Sequence, residues 1–173
     1  GYYQNGGLAT LLHLTAYANT TTGNGGGIFQ SAGSITIRSS IFQGNSGASG
    51  PAIFISGTPN NIDYNYYHDH ASNPVVGAGL GANSVNSNLV PPGMIDPANG
   101  DYHLADTAAA IDLADPNSPV LYDFDLDPRP SNQGFDMGAD ELAGCYARVN
   151  GDIYGSIQLA LQMADPGDQI DVA

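Results

Sequence analysis

The stretch Gly1-Tyr2-Tyr3-Gln4-Asn5-Gly6-Gly7 returns further along the chain as Gly27-Ile28-Phe29-Gln30-Ser31-Ala32-Gly33. The same offset carries Leu11 to Ile37, Thr15 to Ile41 and Asn19 to Asn45. A third copy opens at Ala52-Ile53-Phe54-Ile55-Ser56-Gly57, nearly the same distance beyond the second, and runs on through Ile62, Tyr64 and Tyr66. Within a copy, Ser34-Ile35-Thr36-Ile37 alternates polar and apolar, the period of a half-buried strand. Asn24-Gly25-Gly26-Gly27 and Gly44-Asn45-Ser46-Gly47 are turn clusters. No helical period shows in residues 1–95. A repeat of about 25 residues built from short strands predicts one turn of a parallel β-solenoid per copy, with inward Ile, Leu, Phe and Tyr stacked in columns. Asn19 and Asn45 would then occupy one turn of successive coils, with Asp69 close to the equivalent place. An amide that both donates and accepts suits a ladder there. The competing fold is an antiparallel β-sandwich, which also has short strands and Gly-rich turns. Equal spacing with matched residues favours the solenoid.

Charge divides the chain. It has 173 residues, 23 of them Gly, no Trp and no Lys; Arg38, Arg129 and Arg148 face 17 acids, for a formal net charge of -14. Nucleic acid and anionic membrane surfaces both demand clustered basic residues, so neither is an expected partner. Acidity suits solubility and divalent cations. Asp63 and Asp69 are the only acids before residue 95, and the other fifteen lie between Asp96 and Asp171. No apolar run approaches the roughly 18 residues of a membrane span. Gly1-Tyr2-Tyr3-Gln4 reads as mid-coil rather than as a secretory leader. Cys145 is the single cysteine, so no disulfide closes within the chain.

Residues 71–95 read as an irregular last coil and loop. Beyond them stand Met94-Ile95-Asp96-Pro97-Ala98-Asn99-Gly100-Asp101-Tyr102-His103-Leu104, then Ala110-Ile111-Asp112-Leu113, Asp123-Phe124-Asp125-Leu126-Asp127-Pro128-Arg129-Pro130 and Gly134-Phe135-Asp136-Met137-Gly138-Ala139-Asp140-Glu141. This ordered set resembles the C-terminal end of bacterial secreted right-handed parallel β-helix repeat proteins, the pectin-lyase-like group that often carries surface-anchoring signals. The resemblance implies an all-β, right-handed parallel β-helix and an extracellular or cell-surface setting, and it implies no particular reaction. Asp123, Asp125 and Asp127 alternate in what reads as an extended run, so they would share a face. Together with Asp136 and Asp140 they form a candidate Ca²⁺ set of hard oxygens. EF-hand spacing and the Gly-rich nonapeptide repeat are both missing. The plainer reading is that these acids cap turns and pair with Arg129.

The segment from Cys145 to Ala173 has another texture. Cys145 to Gly151 reads as a strand and turn. Ile157, Ala160, Leu161 and Ala164 recur at helical spacing, with Ser156 as N-cap. Asp165-Pro166-Gly167-Asp168 stops the helix, and Ile170 and Val172 begin a strand. Tyr154, Ser156, Ile157, Gln158, Ala160, Leu161, Ala164, Pro166, Gly167, Asp168, Ile170, Val172 and Ala173 together resemble the N-terminal cap of the same β-helix family. The division expected is therefore coils over 1–95, an acidic extension over 96–144 and a cap-like strand–helix–strand over 145–173. With a cap at the end and a coil at the start, the order looks circularly permuted. Either the chain is one period of a tandem protein, or the cap of one copy completes the coils of the next in a head-to-tail filament. Cys145, Ile157, Leu161, Ile170 and Val172 are the candidate assembly residues. Two duller outcomes compete: an arbitrary fragment, and a helix packed on its own chain's core. Cys145 would find a partner in the next coil or subunit, or stay a buried thiol.

An enzyme is the main rival, because many β-helices degrade polysaccharides. Inverting hydrolysis needs two opposed carboxyl groups, and the coil region offers only Asp63 and Asp69. The Asn-Thr-Asp, Asp-Asp and Gly-His-Gly motifs of polygalacturonase-like enzymes are absent, the Arg/Lys base of pectate lyases has no clear candidate, and Arg38 is the lone positive charge of the coils for an acidic sugar. Catalysis is therefore not the favoured reading. Tyr64-Asn65-Tyr66-Tyr67-His68-Asp69-His70 is the richest local cluster. Tyr64, Tyr66, Tyr67, His68 and His70 are candidate sugar contacts, and His68 and His70 alternate so as to share a metal. The plain alternative is inward Tyr with outward polar residues. His13 and His103 stand singly. The ranking is a structural filament or stalk module, then a carbohydrate-binding adhesive module, then a polysaccharide lyase or hydrolase.

Overall fold

The computed structural model describes residues 1–58, 60–143, 147–150, 152–154 and 161–172. Its strands are β1 (Tyr2–Leu12), β2 (Thr15–Tyr17), β3 (Ile28–Arg38), β4 (Ile41–Gln43), β5 (Ile53–Ile55), β6 (Asn60–Asp63), β7 (Tyr66–His68), β8 (Val75–Val76) and β9 (Val85–Asn86). After these come β10 (Met94–Asp96), β11 (Asp101–Leu104), β12 (Ala147–Val149), β13 (Asp152–Tyr154) and β14 (Ile170–Val172). The chain is all-β, and strands β1 to β9 form two parallel sheets. One runs β1-β3-β5-β8 with β6 also on β3; the other runs β2-β4-β7-β9.

The register follows the sequence repeat. Tyr2 pairs with Ile28, Leu11 with Ile37 and Thr15 with Ile41, all at the offset that relates the first two copies. Ile28 pairs with Ile53, Ile37 with Ile62 and Ile41 with Tyr66, one position closer in each case. The step then shortens further, so that Ile53 meets Val75 and Tyr66 meets Val85. All of these pairs are parallel, which excludes the antiparallel sandwich.

The corners between the sheets repeat as well. His13, Ser39 and Tyr64 have φ of 49, 57 and 55°, and Ala18, Gly44 and Asp69 have φ of 52, 65 and 55°. Positive φ is uncommon for such non-Gly residues. Stacked strands entering and leaving at equivalent points impose the same left-handed residue on each coil.

Alternation decides what is inside. Ile28, Ile35, Ile37, Ile53, Ile55, Ile62, Phe42 and Tyr67 form a buried column between the sheets. The Phe42 and Tyr67 rings stack with centroids 5.5 Å apart. Burial of each such side chain contributes roughly 1.5–3 kcal/mol. Ile41 and Tyr66 point the other way from the second sheet. Leu104, Ala108, Ala110, Ala114 and Met137 of the acidic extension cover them. That sheet is thus buried on both faces, as parallel sheets usually are. The extension is also tied on by hydrogen bonds: Gly138 N–H donates to Ser39 O (2.8 Å), Ala139 N–H to Thr15 Oγ1 (2.9 Å) and Arg38 Nε to Asp115 Oδ2 (2.8 Å).

An amide ladder runs along one turn. Asn19 N–H and Nδ2 both donate to Asn45 Oδ1 at 3.0 Å, and Asn45 Nδ2 donates to Ala16 O at 2.8 Å. In the next coil the place is taken by His70, whose Nδ1 lies 3.2 Å from Asn45 O. Asn88 Nδ2 then donates to His70 O at 3.3 Å. Asp69, which the sequence puts near this ladder, is one residue earlier, at the left-handed corner.

Strands β13, β12 and β14 form a separate antiparallel sheet, with a helical turn over 161–163. Val149 is buried there against Ala164 and Ile170. Among the described residues no helix is long and apolar enough to cross a membrane.

Candidate metal centre

Strand β11 pairs antiparallel with β10, with a 3₁₀ turn over Pro97–Asn99 between them. Its alternation buries Leu104 in the core and sets Asp101 and His103 on the opposite face. Asp101 Oδ1 lies 2.6 Å from His103 Nδ1 and also accepts the His103 N–H at 3.2 Å. On the far side of the ring, His103 Nε2 lies 2.7 Å from Asp125 Oδ2. Asp140 completes the group: one ligand atom each from His103, Asp125 and Asp140 all lie within 4.8 Å of one another.

Each ligand has a local cause. Asp125 belongs to a turn closed by Asp123, whose Oδ1 accepts the N–H groups of Asp125 and Asp127, both at 2.8 Å. Asp123 N–H also donates to Asp127 O at 3.0 Å. Asp140 is buried, and its Oδ2 accepts the Leu104 N–H at 2.6 Å. His103 and Asp125 are about half exposed, so the group opens to solvent.

The electrostatics follow from these contacts. Hydrogen bonds to Asp101 and Asp125 raise His103 to about 9, which keeps the imidazole protonated at neutral pH. The same contact lowers the Asp101 carboxyl. Burial raises Asp140 to about 6, against the Leu104 N–H and the His103 charge that pull it down.

Of the five acids expected to form a Ca²⁺ set, Asp125 and Asp140 come together, and His103 joins them. Asp123 spends both oxygens on backbone N–H groups, those of Asp125 and Asp127 and that of Glu141. Asp136 is fully buried, with its oxygens accepting Asp112 N–H and Leu142 N–H at 2.8 Å. Asp127 lies outside the group. The extended run expected over 123–127 is a correction: Asp123 closes it into a turn, with Leu126 at φ 74°. Alternation therefore does not hold there. Only the Asp101-Tyr102-His103 spacing hints at His103, because Asp125 and Asp140 are remote in sequence.

A second polar centre fastens the extension to the first coil. The Arg129 guanidinium donates to Glu141 Oε2 (2.8 Å), Gly138 O (2.9 Å) and His13 Nδ1 (3.0 Å). His13 Nδ1 also lies 3.0 Å from the Asp136 carbonyl oxygen, and His13 Nε2 lies 2.8 Å from Ser118 Oγ. Burial, and then the Arg129 charge, lower His13 to about 4. Burial raises Glu141 to about 7 despite the opposing Asp136 and Ser131 N–H groups and Arg129.

The Tyr64–His70 cluster is dispersed. Tyr66 and Tyr67 are buried on opposite faces of the second sheet. Tyr64 lies under the Arg38 guanidinium, 5.0 Å from its ring centre. His68 Nδ1 meets Ser87 O at 2.6 Å, and buried His70 meets the carbonyls of Asn45 and Phe42. The corner at Asp69 separates the two histidines, so they do not share a strand face. Of the assembly candidates, Cys145 and Ile157 lie outside the described residues. Leu161 and Val172 are 59 and 56% exposed, and Ile170 packs on Val149. No known protein family, curated protein or solved structure matches this chain.

Proposed function

We propose that this chain is a structural module of an extracellular or cell-surface right-handed parallel β-helix protein that stacks end to end into a filament or stalk. One observation carries the reading. The inward layer of β1 is open to solvent, while the layer beneath it is sealed. Tyr2 is 37% exposed, whereas its partner Ile28 is 0% exposed. Ala9 and Leu11 are half-buried, whereas their partners Ile35 and Ile37 are at most 1% exposed. A coil or cap stacked on β1, from the same polypeptide or from a second copy, would bury these side chains as their β3 partners are buried. The exposed Leu161 and Val172 of the 147–172 unit supply apolar surface for such a junction. The surface setting rests on the resemblance of the 94–141 and 154–173 motifs.

Sedimentation and negative-stain imaging of the full chain test the reading. Stacking predicts concentration-dependent association into elongated particles, and L11D should dissociate them while the far-UV spectrum stays β-rich. A chain that stays monomeric at millimolar concentration would overturn intermolecular stacking.

A carbohydrate-binding reading has one observation of its own. A cleft of about 420 Å³ between the coils and the extension is walled by Tyr64 and Phe135, with Asn83, Asp112 and Gln133 among its polar groups. Aromatic faces beside amide and carboxylate groups suit a sugar. Glycan-array binding lost in Y64A would support it, and release of reducing or unsaturated sugars would replace both readings with an enzyme.

A further inference from the structure

We infer that His103, Asp125 and Asp140 form a binding site for a borderline divalent transition metal, with Zn²⁺ the ion that fits best, and that calcium is not its ligand. The inference stands whether or not the chain stacks.

Charge is the first argument. Three carboxylates, those of Asp101, Asp125 and Asp140, stand around the single His103 ring. Asp101 and Asp125 touch the ring directly, and the Asp123 carboxylate faces that of buried Asp140. The chain has no Lys. Arg38 is taken by Asp115 and Arg129 by Glu141. Among the described residues His103 is the only basic side chain in direct contact with these carboxylates, while Arg129, paired with Glu141, acts on Asp123 and Asp140 from further off. A buried carboxylate facing another at close range is stabilised by a bound cation or by a proton.

Ligand chemistry selects the ion. Ca²⁺ takes six to eight oxygens, whereas an imidazole nitrogen suits Zn²⁺ and its neighbours. Tetrahedral Zn²⁺, with bonds of about 2.0–2.2 Å, places its ligands roughly 3.3–3.6 Å apart. The 4.8 Å limit on the present separations is within a small side-chain adjustment of that spacing. Water reaches the open side and can fill the fourth position, as in three-ligand zinc sites.

The outer shell is already in place. Asp101 holds His103 Nδ1, so Nε2 faces the site, and the Leu104 N–H fixes Asp140. A carboxylate behind a metal-bound histidine is the usual orienting contact. When the metal binds, the Nε2 proton leaves to solvent and the nitrogen lone pair takes its place. The ion would link β11, the 123–127 turn and the segment at Asp140.

Tag-free full chain, stripped with chelator, is titrated with Zn²⁺, Co²⁺ and Ca²⁺ by calorimetry and thermal melting. Expected are a 1:1 Zn²⁺ isotherm, visible ligand-field absorption with Co²⁺, and a melting rise of about 5–10 °C at a hundredfold excess over Kd. Ca²⁺ should bind at least a hundredfold more weakly. H103Q and D140N should each weaken Zn²⁺ at least tenfold, while D127N leaves it unchanged. The wild-type His103 Nε2 nitrogen resonance should shift on Zn²⁺ addition, a readout that needs no variant to fold. Zn²⁺ binding that leaves this resonance unmoved, or Ca²⁺ binding as tightly as Zn²⁺, would overturn the assignment.

Discussion

Arg129 Nη1 donates to Glu141 Oε2 at 2.8 Å, and neither side chain reaches solvent. The pair sits where the acidic extension meets the first coil. The guanidinium also reaches His13, and the carboxylate also accepts Asp136 N–H and Ser131 N–H. Removing one partner leaves an uncompensated buried charge. R129M should therefore cost about 3–5 kcal/mol in urea unfolding. The double variant R129M/E141L should recover part of that loss, because Glu141 is then no longer left without its partner. Equal losses in the two proteins would mean that the pair acts through shape alone.

His13 makes folding sensitive to mild acid. Its folded value is about 4, below its ordinary 6.5. Below pH 6.5 the unfolded chain takes up a proton that the folded chain refuses, so the contribution of His13 to stability falls as pH drops, while the raised carboxyls of Glu141 and Asp140 act in the opposite sense. The loss spreads from about pH 6.5 to about pH 4 and amounts to about 3 kcal/mol, with no contribution above that window. In H13N this part of the pH dependence should vanish from denaturation midpoints measured between pH 4 and 7. Asparagine is chosen because it tolerates the φ of 49° at this corner.

Gly138 sits where the extension presses on the second sheet. Its φ is 101°, and an added methyl would lie 2.6 Å from Ile41 Cδ1 and 3.0 Å from Thr15 Oγ1. G138A therefore combines backbone strain with overpacking, for a cost of about 2–4 kcal/mol. Hydrogen exchange should quicken at Gly138 and Ala139, whose N–H groups bond to Ser39 and Thr15, more than at the Ile28 and Ile53 amides of the core.

The ladder residue Asn45 is buried and serves three contacts, to Asn19 N–H, Asn19 Nδ2 and Ala16 O. N45A leaves two backbone groups without their partner and should cost about 2–4 kcal/mol. At exposed Asn86, which contributes a strand position and no ladder bond, N86A should change stability by less than about 0.5 kcal/mol. Thermal melting compares the two.

The parallel pairing was legible because it is written locally and repeated. A strand that buries every second side chain against an equivalent strand must keep its apolar residues at one offset, as Leu11 with Ile37 and Thr15 with Ile41 do. Position within a corner was less legible. Whether Asp69 or His70 continues the ladder of Asn19 and Asn45 depends on one left-handed residue, and Ala18, which holds that place in the first coil, carries no signal for the conformation.

The metal-ligand group could not be read from order along the chain. Asp125 and Asp140 meet His103 from distant points in the sequence, and the intervening chain has no periodicity to fix its path. The alternation of Asp123, Asp125 and Asp127 pointed to a shared face, but a side chain bonding to its own backbone turned it into a loop. What the sequence determined by itself was the coil length and the identity of the inward columns, because burial at a fixed period leaves a mark on every copy. Only the tertiary structure decided which acids cap turns, which one pairs with Arg129 and which two face a histidine, because those partners are chosen by packing of the extension against the coils.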